Sequence, residues 1–221
     1  MSLHIATSTV SDGSMKSTDG SYASVLPART VFLQHQGIAP DNTVLVHLTY
    51  EGDDYTRFVS VDATYGGDGI TRPPHLVADA LTTSSRGVAL FLPLADCIGA
   101  VIYDIAQDIL MVSHLGRHNL EQHGGTRSIQ YLVTQFNSSP SDLTVWLSPA
   151  AGNENYPLYS FDSRSMHDVA TQQLVAAGVP LVNITRSPID TTVDQTYFSH
   201  SEFLKGNRDT DGRFAIVAWL S

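Results

Sequence analysis

Four apolar runs crowd residues 78–114: ADALTT, GVALFLPLA, GAVIYD and ILMVSH. Each is strand-sized and rich in β-branched and aliphatic residues. A strand with one wet face alternates apolar and polar residues. These runs are too continuously apolar for that, so they predict sheet covered on both faces. Any fold for this chain must supply layers on either side of residues 87–114.

Helical spacing returns downstream. Ile129, Leu132, Val133 and Phe136 recur at helical intervals. SMHDVATQQLVAAG (165–178) predicts a helix with Ser165 as N-cap and Gly178 just past its end. A shorter helix is expected over 27–36, with Pro27 in its first turn. DNTVLVHLTY (41–50) reads as a strand carrying His47, LTVWLSPA (143–150) as another, and LVNI and FAIVAWL as closing strands. Residues 7–25 read as loops with short strands, and 62–75 as a Gly/Pro-rich connection. Strands and helices mix without strict alternation. The expected class is therefore α+β, a layered α/β sandwich of mixed sheets, with residues 1–221 forming a single domain.

Twelve Lys and Arg oppose 22 Asp and Glu, a formal net charge of −10. Such a surface repels a phosphate backbone, so nucleic acid is not expected as a partner. A small anionic substrate would need a local cationic pocket. No segment has the length of a membrane span. The N-terminal sequence shows neither the basic nor the apolar region of a secretory leader, and the lone cysteine excludes an internal disulfide; both point to the cytoplasm.

That cysteine, Cys97, sits 17 residues before His114. GAVIYD and ILMVSH flank Ile105–Asp108, a loop length that a hairpin permits. A symmetric hairpin pairs residues whose numbers sum to 213, placing His114 opposite Gly99 and Cys97 opposite Gly116. Side chains alternate along a strand, so Cys97 and His114 would project from one face as diagonal neighbours. Gly99 and Gly116 leave room between them. A thiol and an imidazole so placed suit a nucleophile pair or part of a metal site; a buried structural cysteine remains the plain alternative. Two ligands do not make a zinc site.

Further motifs extend this pair. The chain has Val46-His47, then Ala78-Asp79-Ala80-Leu81-Thr82, Ala95-Asp96-Cys97, and His114-Leu115-Gly116. Leu147-Ser148-Pro149-Ala150, Phe198-Ser199 and Gly212-Arg213 follow. In order and spacing this set resembles the bacterial laccase-domain proteins, also called multicopper polyphenol oxidoreductases, purine nucleoside phosphorylases or peptidoglycan editing factors. The resemblance implies a layered sandwich like that of putative cysteine hydrolases. It implies metal and catalytic roles for His47, Cys97 and His114. A Cys and two His with an open fourth position would suit catalytic zinc, with copper the other metal in view. It also implies small-molecule substrates, namely a purine nucleoside and phosphate. The activities would be phosphorolysis of adenosine, inosine, guanosine or methylthioadenosine, and deamination of adenosine. Copper oxidase chemistry fits less well, because no His-X-His pair occurs.

The chain departs from the family pattern beside His114. His-Ala-Gly-Trp-Arg-Gly is replaced by His114-Leu115-Gly116-Arg117-His118-Asn119, and Phe-Ser-Tyr-Arg-Arg by Phe198-Ser199-His200-Ser201-Glu202. Other cations must then hold a phosphate. Arg29, Arg117 and Arg213 are the candidates, each weighed against an ordinary surface ion pair. His118, His123 and His200 are candidate general acids or extra ligands, most of them expected at the surface, and His75 is expected exposed. Asp79 and Asp96 are expected to support the site, Asp96 either orienting a ligand histidine or capping a turn. Three functions compete: a zinc-dependent purine nucleoside phosphorylase and adenosine deaminase; a Cys97–His114 hydrolase of an amide such as a cell-wall precursor; and a metal-binding homologue without turnover.

Overall fold

The computed structural model describes residues 2–17 and 21–221. Residues 18–20, part of the expected N-terminal loop region, lie outside it. In chain order the elements are β1 (Leu3–Thr7), α1 (Tyr22–His35), β2 (Thr43–Leu45), β3 (Phe58–Ser60), β4 (Ala80–Thr83) and β5 (Ala89–Leu94). Then come β6 (Ile98–Asp104), β7 (Ile109–Leu115), α2 (Arg117–Glu121), α3 (Gly124–Phe136) and β8 (Leu143–Leu147). The chain closes with α4 (Met166–Ala176), β9 (Ile184–Arg186), α5 (His200–Leu204) and β10 (Phe214–Leu220).

Two mixed sheets form. One has the order β1-β10-β5-β2, the other β3-β4-β7-β6-β8-β9. The core explains why the central strands are apolar on both faces. Along β5, Leu90, Leu92 and Leu94 point between the sheets, meeting Val101, Tyr103, Leu110, Val112, Phe214 and Ile216. The alternate residues Ala89 and Phe91 point outward to Phe32 and Leu33 of α1. On the second sheet, Ile98, Ala100, Ile102 and Met111 pack outward against Ile129 and Leu132 of α3 and Val169 and Leu174 of α4. The result is helix, sheet, sheet, helix, an α+β sandwich as expected. Each fully buried Leu or Ile contributes roughly 1.5–3 kcal/mol by leaving water, so the inter-sheet layer is a principal source of stability.

Several elements differ from expectation. The first helix starts at Tyr22, and Pro27 lies within it. The ring costs the helix one N–H bond near its N-terminal end, where the loss is most easily absorbed. The strand expected over 41–50 is only Thr43–Leu45. Pro40–Asn42 form a 3-10 turn before it, and after Val46 the chain leaves the sheet. Leu181–Asn183 likewise form a 3-10 turn, leaving a three-residue β9. The helix at 166–176 is capped as read: Ser165 accepts the N–H of Asp168, and Gly178 follows with φ +100°.

The hairpin register is the one counted from sequence. Gly99 pairs with His114 and Ile98 with Leu115. β5 belongs to one sheet and β6 to the other, so Ala95–Cys97 carry the chain between them. Asp96 makes this crossing with φ +75°, a left-handed conformation that Asp and Asn tolerate better than most residues.

Candidate active site

A cleft of about 360 Å³ opens at this crossing. Its wall includes Cys97 from the crossing, His114 from the end of β7, Arg117 and His118 from α2, and His200 from α5. Cys97 is partly buried, while His114 is only 4 % exposed. Gly116 lies between them. A Cβ placed there would stand 2.8 Å from the Cys97 Sγ, 2.8 Å from the His114 Cε1 and 3.1 Å from its Nε2. The bare glycine is what lets thiol and imidazole face a common space.

Burial sets the protonation of both groups. It pushes the Cys97 thiol up to about 12, reinforced by the charge of Asp96. It pushes His114 down to about 4, against the opposing pull of Asp79. Near neutral pH the pair is therefore thiol and neutral imidazole, not thiolate and imidazolium.

The carboxylates expected nearby hold the scaffold. Asp79 spends its side chain on Arg57, whose Nε donates at 2.8 Å and whose backbone N–H donates at 3.0 Å. Its contribution to the site is its backbone carbonyl, which accepts the N–H of His114 at 2.8 Å. Asp96 orients no histidine. One oxygen accepts the Thr191 hydroxyl at 3.0 Å, and the other accepts the Ser201 N–H at 2.7 Å. Both bonds reach far along the chain, 95 and 105 residues away, so Asp96 ties the crossing down rather than capping a local turn.

The expected three-donor set is divided between two cavities. His47 follows the short β2 and lines an adjoining space of about 110 Å³ with Arg29, Tyr22 and Gly69. Lys16, Leu48 and Pro93 line both cavities. The buried Nδ1 of His47 has no hydrogen-bond partner. The donor types suit zinc and Nδ1 is open. As arranged, however, no three or more His, Cys, Asp or Glu among the described residues are grouped to hold a metal ion.

The arginines separate in the same way. Arg29 is 3 % exposed and donates to the carbonyls of Met15 at 2.9 Å and Gly69 at 2.6 Å. Its guanidinium lies 5.6 Å over the Phe91 ring, and burial lowers it to about 10. Arg29 thus sits beside His47 and outside the main cleft. Arg117 and Arg213 line the cleft; Arg213 is also paired with Asp211 at 2.6 Å. Of the remaining histidines, His123 is exposed at the start of α3, and His75 is exposed and paired with Asp68. His118 stacks on Tyr55 at 4.9 Å between centroids.

The sequence reading missed Lys16, Tyr50, Asn119, Tyr156 and Asp211. Lys16, Tyr50, Asn119 and Tyr156 line the cleft. Asn119 also ties α2 down, its amide donating to the Tyr55 carbonyl and its oxygen accepting the Gly116 N–H at 3.2 Å. Lys16 and Tyr156 come from loops with no motif around them, so no local signal marks them.

Comparison with known proteins places this arrangement. The chain is 30% identical over 176 residues to a protein named purine nucleoside phosphorylase from Xylella fastidiosa (strain Temecula1), a match covering 68% of this chain and 64% of that protein. It therefore spans under two thirds of that relative's length. It is 23% identical over 204 residues to another so named from Corynebacterium glutamicum, covering 83% of this chain and 76% of that protein. The fold superposes on the hypothetical protein YfiH of Bacillus licheniformis with a TM-score of 0.84, at 18% identity, over 99% of this chain and 93% of that one. YlmD from Geobacillus stearothermophilus gives 0.80 at 22% identity, over 93% and 84%. Residues 10–166 match the family model described as multi-copper polyphenol oxidoreductase laccase. That span takes in β2, the sheet crossing with Cys97, and the hairpin that ends in His114, and by it the chain belongs to the multi-copper polyphenol oxidoreductase laccase family.

Proposed function

We propose that the chain is a purine nucleoside phosphorylase that binds its substrates in the Cys97/His114 cleft. The observation that carries this reading is a concentration of cations in a protein of net charge −10. Lys16, Arg117 and Arg213 line one cleft, and Lys16 reaches the neighbouring cavity that holds Arg29. Lys16, although exposed, is held below the ordinary lysine range by partial desolvation, and then by the charges of Arg213 and Arg29. Like charges crowded in this way are relieved by a bound anion, and phosphate is the anion the relatives' name supplies. Tyr50 and Tyr156 on the same wall offer flat apolar surface on which a purine can pack.

In this reading the cations hold phosphate while one of its oxygens attacks C1′ of the ribose. The bond from C1′ to the purine breaks, and the base departs. His114, neutral by burial, can accept a hydrogen bond without adding charge. Adenosine deamination is the narrower companion activity. A zinc ion held by His47, Cys97 and His114 is a separate proposal, supported by donor chemistry and the open Nδ1 of His47; metal analysis of the purified protein tests it, copper included. The amide-hydrolase reading is disfavoured because the thiol holds its proton up to about 12 while its would-be base lies near 4. Purified protein is to be incubated with adenosine, inosine or methylthioadenosine, with and without phosphate. Phosphate-dependent release of free base supports the phosphorylase. If neither base release nor conversion of adenosine to inosine occurs, the reading fails and the non-enzymatic homologue is left.

A further inference from the structure

We propose that His200, braced by Asp211, delivers the proton to the departing purine; this rests on the phosphorolysis reading. A purine leaves poorly as an anion, so the reaction needs an acid in the cleft. His114 is only 4 % exposed, and both ring nitrogens of His118 already have neighbours, Glu121 at 3.5 Å and Arg117 at 3.3 Å. His200 differs from both. It lines the cleft, and its Nδ1 lies 3.0 Å from Asp211 Oδ1.

A carboxylate can only accept, so Nδ1 is the donor in that bond. Arg213 donates to the same oxygen at 2.6 Å and to the Gly212 carbonyl at 2.7 Å, which fixes Asp211 in place. Nε2 is then the exchanging nitrogen, and none of the described residues engages it. The ring's position is set from behind: Asp96 holds the Ser201 N–H at 2.7 Å, so α5 is tied to the crossing that carries Cys97. This histidine stands where the family pattern has Tyr, so the device belongs to this chain's own sequence.

A phosphate oxygen bonds to C1′ while the C1′–N9 bond breaks and its electron pair passes to the purine. The proton on Nε2 of the imidazolium moves to a purine ring nitrogen; the monohydrogen phosphate gives up its own proton on becoming the sugar phosphate, and that proton, passed through solvent, restores the imidazolium. Asp211 is a positioning residue that stabilises the imidazolium.

The test is phosphate-dependent base release by wild type, His200→Gln, His200→Gly and Asp211→Ala, with thermal melts confirming that each folds. His200→Gln is expected to lose on the order of 10²–10⁴-fold in kcat, with KM for nucleoside changed only a few-fold. Added imidazole is expected to restore His200→Gly in proportion to its concentration. Asp211→Ala, which removes the acceptor, is expected to shift the ring nitrogen signals of His200 away from the Nδ1–H tautomer. A folded His200→Gln with wild-type kcat, or a His200→Gly that imidazole does not restore, overturns the proton-donor role alone. An unchanged tautomer in Asp211→Ala overturns the part given to Asp211. Absence of base release by the wild type overturns the phosphorolysis reading, and this role with it.

Discussion

Asp96 accepts the backbone N–H of Ser201 at 2.7 Å across 105 residues of sequence. With its bond to Thr191, this ties the sheet crossing to α5 and to the loop that follows β9. Asp96→Asn keeps the shape and tolerates φ +75°, but sets an amide NH₂ where one of two donors already points. It is expected to lower stability by about 1–3 kcal/mol, which for a domain of this size moves Tm by roughly 2–4 °C per kcal/mol. Asp96→Ala loses both bonds and strains the backbone as well, so it should melt lower still. Calorimetry on the two variants checks the order.

The open face of Gly116 is the second testable element. Its backbone is extended, with φ −91° and ψ −179°, so Gly116→Ala carries no conformational penalty. The added methyl would meet Cys97 Sγ and His114 Cε1 at 2.8 Å each. Overpacking of this kind costs about 1–3 kcal/mol. The variant should fold, melt lower and lose turnover, because the methyl fills the space the two side chains face. Wild-type turnover in a folded Gly116→Ala would show that the reaction does not use that space.

Acid should destabilise the protein in two stages. His114 is held down to about 4 from an unfolded value near 6.5. Between those pH values the unfolded state binds the extra proton, so the stability tied to His114 is full above pH 6.5 and is lost as pH falls toward 4. His47 and His167 are lowered in the same direction, chiefly by burial. Below that range the depressed carboxylates take over. Glu202 is held down by hydrogen bonds from Lys205 and Asn207; burial would raise Asp211, but its bonds to His200 and Arg213 outweigh that. Denaturant midpoints measured from pH 7 to pH 4 should fall, with a shallower slope in His114→Gln. An equal slope in the variant would remove His114 as the cause.

The hairpin was legible in the sequence because a four-residue loop between two strand-sized runs gives one register when it closes symmetrically, and Gly99 does pair with His114. The sandwich was legible because continuously apolar strands require cover on both faces. The crossing at Asp96 was not, since one residue with positive φ leaves no mark on periodicity. Nor was the separation of His47 from Cys97 and His114, which depends on β2 ending at Leu45. The His200–Asp211 pair joins residues on either side of α5 and its following loop, with no shared motif, so only the folded chain shows it.

Lys16 and Arg29 are both near the junction of the two cavities, and their substitution should separate anion binding from structure. Arg29 donates to two buried carbonyls, of Met15 and Gly69. Arg29→Met leaves both without a donor, at about 1–3 kcal/mol each, so the principal effect should be a lower Tm. Lys16 makes no ion pair among the described residues, and removing it relieves its repulsion with Arg213 and Arg29. Lys16→Met should therefore melt at or above the wild-type temperature. It should also raise the KM for phosphate roughly tenfold, the size of one lost charge-assisted hydrogen bond. Phosphate titrations and melts on the two variants give the comparison. A lower Tm in Lys16→Met with unchanged phosphate KM would move the anion out of this junction.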